Sequence, residues 1–208
     1  MKAVSDFFTR VIPYLPGCPE PLAARALVDS AIQFCDESLV LRQKLDAFST
    51  VAGDGSYELD APPSQQISRV MKVWLDGVLI GPVPVDDAVP LSTPNQKPYA
   101  FYTTRIDSEF LLNLYPTPDK VYSIVVEAAM RPIRDVDSLE DDLFHLWINP
   151  VVTGAMGILQ SIPGQAFSEP TEGQRNSLMA LALARKARIE GGFGRVRSTV
   201  RISPRAFA

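Results

Sequence analysis

Few residues in this chain are able to do chemistry. His145 is its single histidine, and it sits in the middle of an apolar stripe of helical spacing. A Ser–His–Asp relay would rest on this residue alone, and no GxSxG turn accompanies it. Packing or an interface accounts for His145 better than catalysis does. The two cysteines, Cys18 and Cys35, form no CxxC pair and no disulfide framework. Both lie among apolar residues and read as buried thiols, which suits synthesis in a reducing cytosol. HExxH, CxxC and EF-hand patterns are missing, so neither a metal nor a cofactor is expected. The acidic cluster Asp135, Asp137, Glu140, Asp141 and Asp142 stands at the start of a helical pattern, where pairing with the helix dipole explains it. Gly53-Asp54-Gly55 and Gly191-Gly192-Phe193-Gly194 lack the spacing of phosphate-binding loops and read as turns. No pair of carboxylates stands out for acid–base work. The expectation is a protein that is not an enzyme.

Charge is the stronger signal. Residues 185–208 carry seven basic side chains and one acid, a net of +6, while the remaining residues carry 13 basic against 23 acidic, a net of −10. A basic tail on an acidic body points to an acidic partner for the tail. From Gly194 the sequence GRVRSTVRISPRAFA alternates Arg or Ser with Val or Ile. An extended strand inserted along a partner's groove fits that alternation, and a flexible tail also fits it. No nucleic-acid-binding module precedes it.

The elements that must carry these features follow from periodicity. At 208 residues and 46% apolar composition, the chain is long enough to bury a core. No run of 18 apolar residues predicts a membrane span, and the N-terminus, broken by Asp6, Arg10 and Pro13, does not read as a signal peptide. Residues 3–12 predict a short helix with Phe7, Phe8, Val11 and Ile12 on its apolar side. A Pro-rich connection leads to a helix from Glu20 to Glu37 or Ser38, with Leu27, Ala31, Phe34 and Cys35 on one face. A strand is expected from Leu41 to Val51, although a helix continued to Phe48 also fits.

Short strands follow at Ser56–Leu59, Ile67–Leu75, which alternates strictly, and Val78–Ile80, the last two joined at Asp76-Gly77, a hairpin signal. Residues 81–98 predict a surface excursion with a helical turn at 86–89. Runs at Tyr99–Ile106, Phe110–Tyr115 and Val121–Met130 predict an antiparallel meander. Leu139–Ile162 is the clearest element: apolar residues recur at spacings of three and four, Asp137 or Ser138 is placed to cap it, and Pro163-Gly164 ends it. Its second half holds Thr153, Gly154, Ala155 and Gly157, so a neighbouring backbone can come close, within the subunit or across an interface. A last helix runs from Pro170 to Glu190 with Leu178, Leu181, Ala182, Arg185 and Ile189 on one side.

The expected fold is α+β: a helical bundle of one N-terminal and two C-terminal helices, an intervening antiparallel β lobe and an extended C-terminal arm. The divisions are residues 1–40, 41–132, 133–193 and 194–208.

The order of several short motifs carries a resemblance. VIPYLPGCPEPLAARALVDSAIQFCDES is followed by Tyr57-Glu58-Leu59, VMKVWLDGVLI, FLLNLYPTP, VVEAAMRP, LEDDLFHLWINPVVTGAMGILQSIPGQAF and an Ala-rich helix. The chain resembles the head-to-tail adaptor (connector, or neck) proteins of short-tailed bacteriophages over nearly its whole length. The resemblance implies a structural virion protein of the neck between capsid and tail, present in the host cytoplasm during assembly. It implies a homo-oligomeric ring of about twelve copies joining the portal protein to the tail nozzle. Genomic DNA would pass through it without sequence-specific binding, and no membrane is involved.

The same resemblance assigns portal binding to the arm, through Arg195, Val196, Arg197, Val200, Arg201, Ile202, Arg205 and Phe207. Subunit contacts fall on the helices Glu20–Ser38, Leu139–Ile162 and Pro170–Glu190, at Phe34, His145, Trp147, Gly154, Gly157 and Arg185. Tail contacts fall on the β lobe and its loop at 81–98. A different neck or tail-completion protein, a binding module with a nucleic-acid-touching tail, and a hydrolase built on His145 remain as alternatives.

Overall fold

The computed structural model describes residues 1–84, 95–106 and 109–192. The chain is mixed α and β, as its periodicities require. Strand β1 (Lys2–Ala3) opens into a run of short turns, 3-10 at Val4–Phe7, helix α1 at Phe8–Val11 and 3-10 again at Ile12–Tyr14. The single short helix expected over residues 3–12 is thus three pieces, although Phe7 and Val11 are fully buried as its apolar side predicts. Helix α2 (Glu20–Ser38) follows, with Pro21 in its first turn, where the missing N–H costs nothing. Its backbone stops at Leu39, which takes a left-handed φ of 53°. This excludes a helix continued to Phe48.

The expected strand from Leu41 to Val51 is two short ones, β2 (Arg42–Lys44) and β3 (Phe48–Ser49). Next come β4 (Ser56–Leu59), β5 (Gln65–Leu75), β6 (Val78–Pro82), β7 (Ala100–Ile106), β8 (Glu109–Tyr115) and β9 (Ser123–Pro132). They form one sheet in the order β2-β9-β5-β6-β7-β8-β4, with β3 also on β9. The β5–β6 turn is the one foreseen: Asp76 and Gly77 both have positive φ, 48° and 77°, as a two-residue hairpin requires. Asp76 also clips the hairpin to the start of β9, its N–H donating to Ser123 O at 2.8 Å and its Oδ1 accepting from Ser123 N at 2.9 Å.

Three expectations for the sheet need correction. The meander fails, because β9 leaves the β7–β8 hairpin and pairs with β5, β2 and β3 instead. The sheet is not purely antiparallel either: β6 and β7 pair in parallel at Gly81–Pro82 with Ala100–Phe101. The long connection between them makes this possible, since a parallel pair cannot be closed by a tight turn. Irregularities between Ile67 and Arg69, and between Val70 and Lys72, also break the strict alternation expected of β5. The helical turn expected at 86–89 lies outside the described residues.

The C-terminal half holds the largest correction. Leu139–Ile162 is not one helix. Ser138–Leu139 forms β10, paired with Lys2–Ala3, so neither Asp137 nor Ser138 caps a helix. Helix α3 spans only Asp141–His145, and helix α4 begins afresh at Ile148 and runs to Gln160. The cause is Pro150. It has no N–H to donate, and in a continuous helix its ring would collide with the carbonyl of Leu146. Helix α5 (Pro170–Gly192) closes the described chain. No described helix is long and apolar enough to cross a membrane.

Two apolar clusters organise these elements. One gathers residues of the N-terminal turns and of α2, α3, α4 and α5, including Phe7, Leu27, Leu143, Leu159 and Ala187. The other lies within the curled sheet, around Val73, Leu75, Leu112, Ile124 and Val126. An ionic clasp joins the two regions. Asp36 at the end of α2 accepts from Arg131 of β9 at 2.7 Å and from Ser68 of β5 at 2.6 Å.

The helices meet along small residues. A Cβ on Gly157 would lie 2.8 Å from Ser177 N and 3.2 Å from Gly173 O; one on Gly173 would lie 3.0 Å from Ser161 N. On Gly154 it would fall onto Ser30 Oγ and lie 3.5 Å from the Cβ of Ala180. These pairings run α4 antiparallel to both α2 and α5. Ser30 Oγ donates to Val151 O at 2.7 Å across the same seam.

Two outcomes follow. Gly157→Ala must push backbone aside, an overpacking cost of about 1–3 kcal/mol, so the melting temperature should fall by roughly 3–10 °C. An unchanged thermal melt would contradict the seam. Separately, Cys35 is fully buried, and its thiol is pushed well above the ordinary range by burial and then by the Asp36 carboxylate. Burial also raises Cys18, which remains 9% exposed. A thiol reagent at mildly alkaline pH should modify Cys18 first and Cys35 only on unfolding; mass spectrometry of the labelled protein checks the order.

Candidate assembly surfaces

Helix α5 determines what this molecule offers to others. Its inward side is the line Gly173, Ser177, Ala180, Ala184, Ala187 and Gly191, spaced four, three, four, three and four. Among the residues of α5, Gly173, Ala184 and Ala187 are buried, and Gly191 rests on Val40 at the end of α2. A helix turns about 100° per residue, which puts Leu178, Ala182, Arg185 and Ile189 opposite that line. Leu178 and Ile189 are each 62% exposed. The side expected from the sequence is real as a face but turns away from the chain's own core, because the small residues let α5 approach α2 and α4 more closely than leucines would.

The flanks of α5 differ. On one side a groove of about 430 Å³ runs between α2 and α5, lined by Phe34, Pro150, Leu181 and Ala184, with Asp36 and Glu37 among its walls. On the other side a second groove of about 350 Å³ is lined by Arg10, Tyr14, Ile148, Met156, Met179 and Leu183. Tyr14 is 71% exposed and Met179 53%. One groove therefore carries carboxylates and the other a guanidinium, and both have apolar floors.

The residues singled out from the sequence fall in different places. Phe34 is buried, its ring 5.6 Å from that of Trp147 at 41°, and it lines the acidic groove. His145 is exposed, with Phe144 edge-on at 5.4 Å. Gly154 and Gly157 lie in the seam inside the subunit. Arg185 is exposed on the outward side of α5. Arg195, Val196, Arg197, Val200, Arg201, Ile202, Arg205 and Phe207 lie outside the described residues. Of the acidic cluster, Asp141 and Asp142 stand in the first turn of α3. Among the described residues, no three His, Cys, Asp or Glu side chains converge to hold a metal ion.

Sequence reasoning missed the groove at Tyr14 and Met179. Its parts come from three separate segments, and only the turn at Ile12–Tyr14 brings them together. The exposed tyrosine after Pro13 was the one available signal.

None of the curated proteins compared with the chain matches it. The family model for the SU10 adaptor protein matches residues 2–203, nearly the whole chain. Helix α5 presents an outward apolar face between two grooves of opposite charge, and the chain belongs to the SU10 adaptor protein family, the structural adaptors of bacteriophages.

Proposed function

We propose that this chain joins the portal of a phage capsid to the tail, as a homo-oligomeric ring in the neck of the virion. The observation that carries this reading is the outward side of α5. Leu178 and Ile189 stand in water on a helix whose opposite side packs on α2 and α4 through Gly173, Ala184 and Ala187. Closed rings need two different patches on each subunit, since the contact is heterologous. The flanks of α5 supply such a pair: the groove with Asp36 and Glu37, and the groove with Arg10. Ring closure by helix contacts would then repeat about twelve times.

In this reading residues 1–40 and 133–193 build the helical bundle of the ring, residues 41–132 face the tail, and residues 194–208 grip the portal. Arg195, Arg197, Arg201 and Arg205 give the arm its charge for an acidic portal surface, and Val196, Val200, Ile202 and Phe207 give it apolar anchors. The rest of the chain, with its net charge of −10 outside residues 185–208, suits a channel wall, because acidic walls repel phosphate and let DNA slide.

Two experiments decide it. Leu178→Glu combined with Ile189→Glu should leave stability within about 0.5 kcal/mol, as exposed substitutions do, and should abolish rings in particle images of the protein mixed with purified portal. Rings of normal copy number would remove α5 from the contact. Deleting residues 194–208 should abolish co-sedimentation with the portal while the thermal melt is unchanged; a truncated protein that still co-sediments would remove the arm.

A further inference from the structure

The β lobe carries a cationic surface that neither the ring nor the arm uses. Cross-strand partners in a sheet project to the same face. The register pairs Lys44 with Glu127 and Glu127 with Lys72; it pairs Arg42 with Ala129 and Ala129 with Arg69; and it pairs Val125 with Trp74 and Trp74 with Leu79. One outer face of β2, β9, β5 and β6 thus shows four cations against the single carboxylate of Glu127. That carboxylate is taken up by Lys72 at 3.6 Å. Among the described residues, Arg42, Lys44 and Arg69 pair with no carboxylate. The ammonium groups of Lys44 and Lys72 lie 5.2 and 5.9 Å from the centroid of the same Trp74 ring. Two like charges are held near one indole, so an arriving anion is favoured there.

The same face says which kind of anion. Leu79 is 58% exposed beside Trp74, and Val125 lies on the other side of the indole. A duplex backbone would leave this apolar strip in contact with phosphate and water. Base stacking, the mode by which sheets take single strands, needs a free aromatic face, and here lysines attend the Trp74 ring. A protein segment with apolar side chains at its centre and carboxylates at its margins satisfies both the strip and the cations.

We infer that the outer face around Trp74, Leu79, Lys44, Lys72 and Arg69 docks an acidic, apolar-centred segment of a protein partner. That the partner is the tail component rests on the function proposed above; the chemistry of the segment does not.

The test uses the full chain and three probes: a twelve-residue peptide alternating glutamate with leucine and phenylalanine, polyglutamate of the same length, and a 20-base-pair duplex. The amphipathic peptide should bind, more weakly as salt rises. Lys44→Glu with Lys72→Glu should weaken it at least tenfold, and Leu79→Ser several-fold, with circular dichroism and ring formation on the portal unchanged. Polyglutamate should bind more weakly than the amphipathic peptide. Failure of the peptide to bind, or equal binding by the variants, overturns the inference. Duplex capture that depends on Lys44 and Lys72 and ignores Leu79 assigns the face to nucleic acid instead. Loss of rings in the lysine variant assigns it to a neighbouring copy, and also overturns it. Peptide binding by a protein that never forms rings would sink the ring and leave this surface standing.

Discussion

The close approach of α4 to α2 and α5 is the constraint on which the rest depends. On α4, Gly154 faces Ser30 and Gly157 faces Ser177 and Gly173 at distances that admit no further carbon without a shift. Close packing of this kind works by contact area between backbones and by short side-chain bonds, such as that from Ser30 Oγ to Val151 O. A buried hydrogen bond contributes about 0.5–1.5 kcal/mol net, so the seam is stabilised by many small terms together. It also fixes rotation. With small residues inward, α5 has no choice but to turn Leu178 and Ile189 outward. The outward apolar face is therefore a by-product of how the core is packed.

The helical part and the sheet are coupled through few residues. Chain crosses between them at 39–41 and at 133–137, and Asp36 ties Arg131 and Ser68 across the junction. Arg131 is 23% exposed in its side chain and Asp36 36%, so this clasp sits where water reaches it and salt weakens it. The apolar clusters on either side are distinct but share Leu41, which packs against both. Each part keeps its own core, and the two are joined by this apolar contact together with the polar clasp.

Local signals in the sequence carried most of the elements. The helix at Glu20–Ser38, the Asp76-Gly77 turn and the long last helix follow from punctuation and periodicity. Both cysteines proved buried and unpaired. Failures came where a distant partner or one residue overrode a pattern. Pro150 divided a stripe whose spacing looked continuous, and Ser138 found Ala3 in place of a helix to cap. Strand β9 chose β5 over its sequence neighbour, a matter of long-range pairing that periodicity does not encode. On α5 the spacing located the apolar side correctly but could not say that it faced outward; the quieter line of Gly, Ser and Ala held the packing. The groove at Tyr14 and Met179 required three segments to be brought together, which no periodicity encodes.

The long pairing of β9 with β5, from Gln65 opposite Pro132 to Leu75 opposite Ile124, has a mechanical meaning. The chain enters the helical part from the Pro132 end of β9, and β2 joins the sheet from α2 at the same end. Tension between the helices and the sheet would pull β9 along its own axis. Its ladder bonds lie across that axis and would have to shear together, unlike a hairpin peeled open one bond at a time. The strand behind the junction is laid out as a tether.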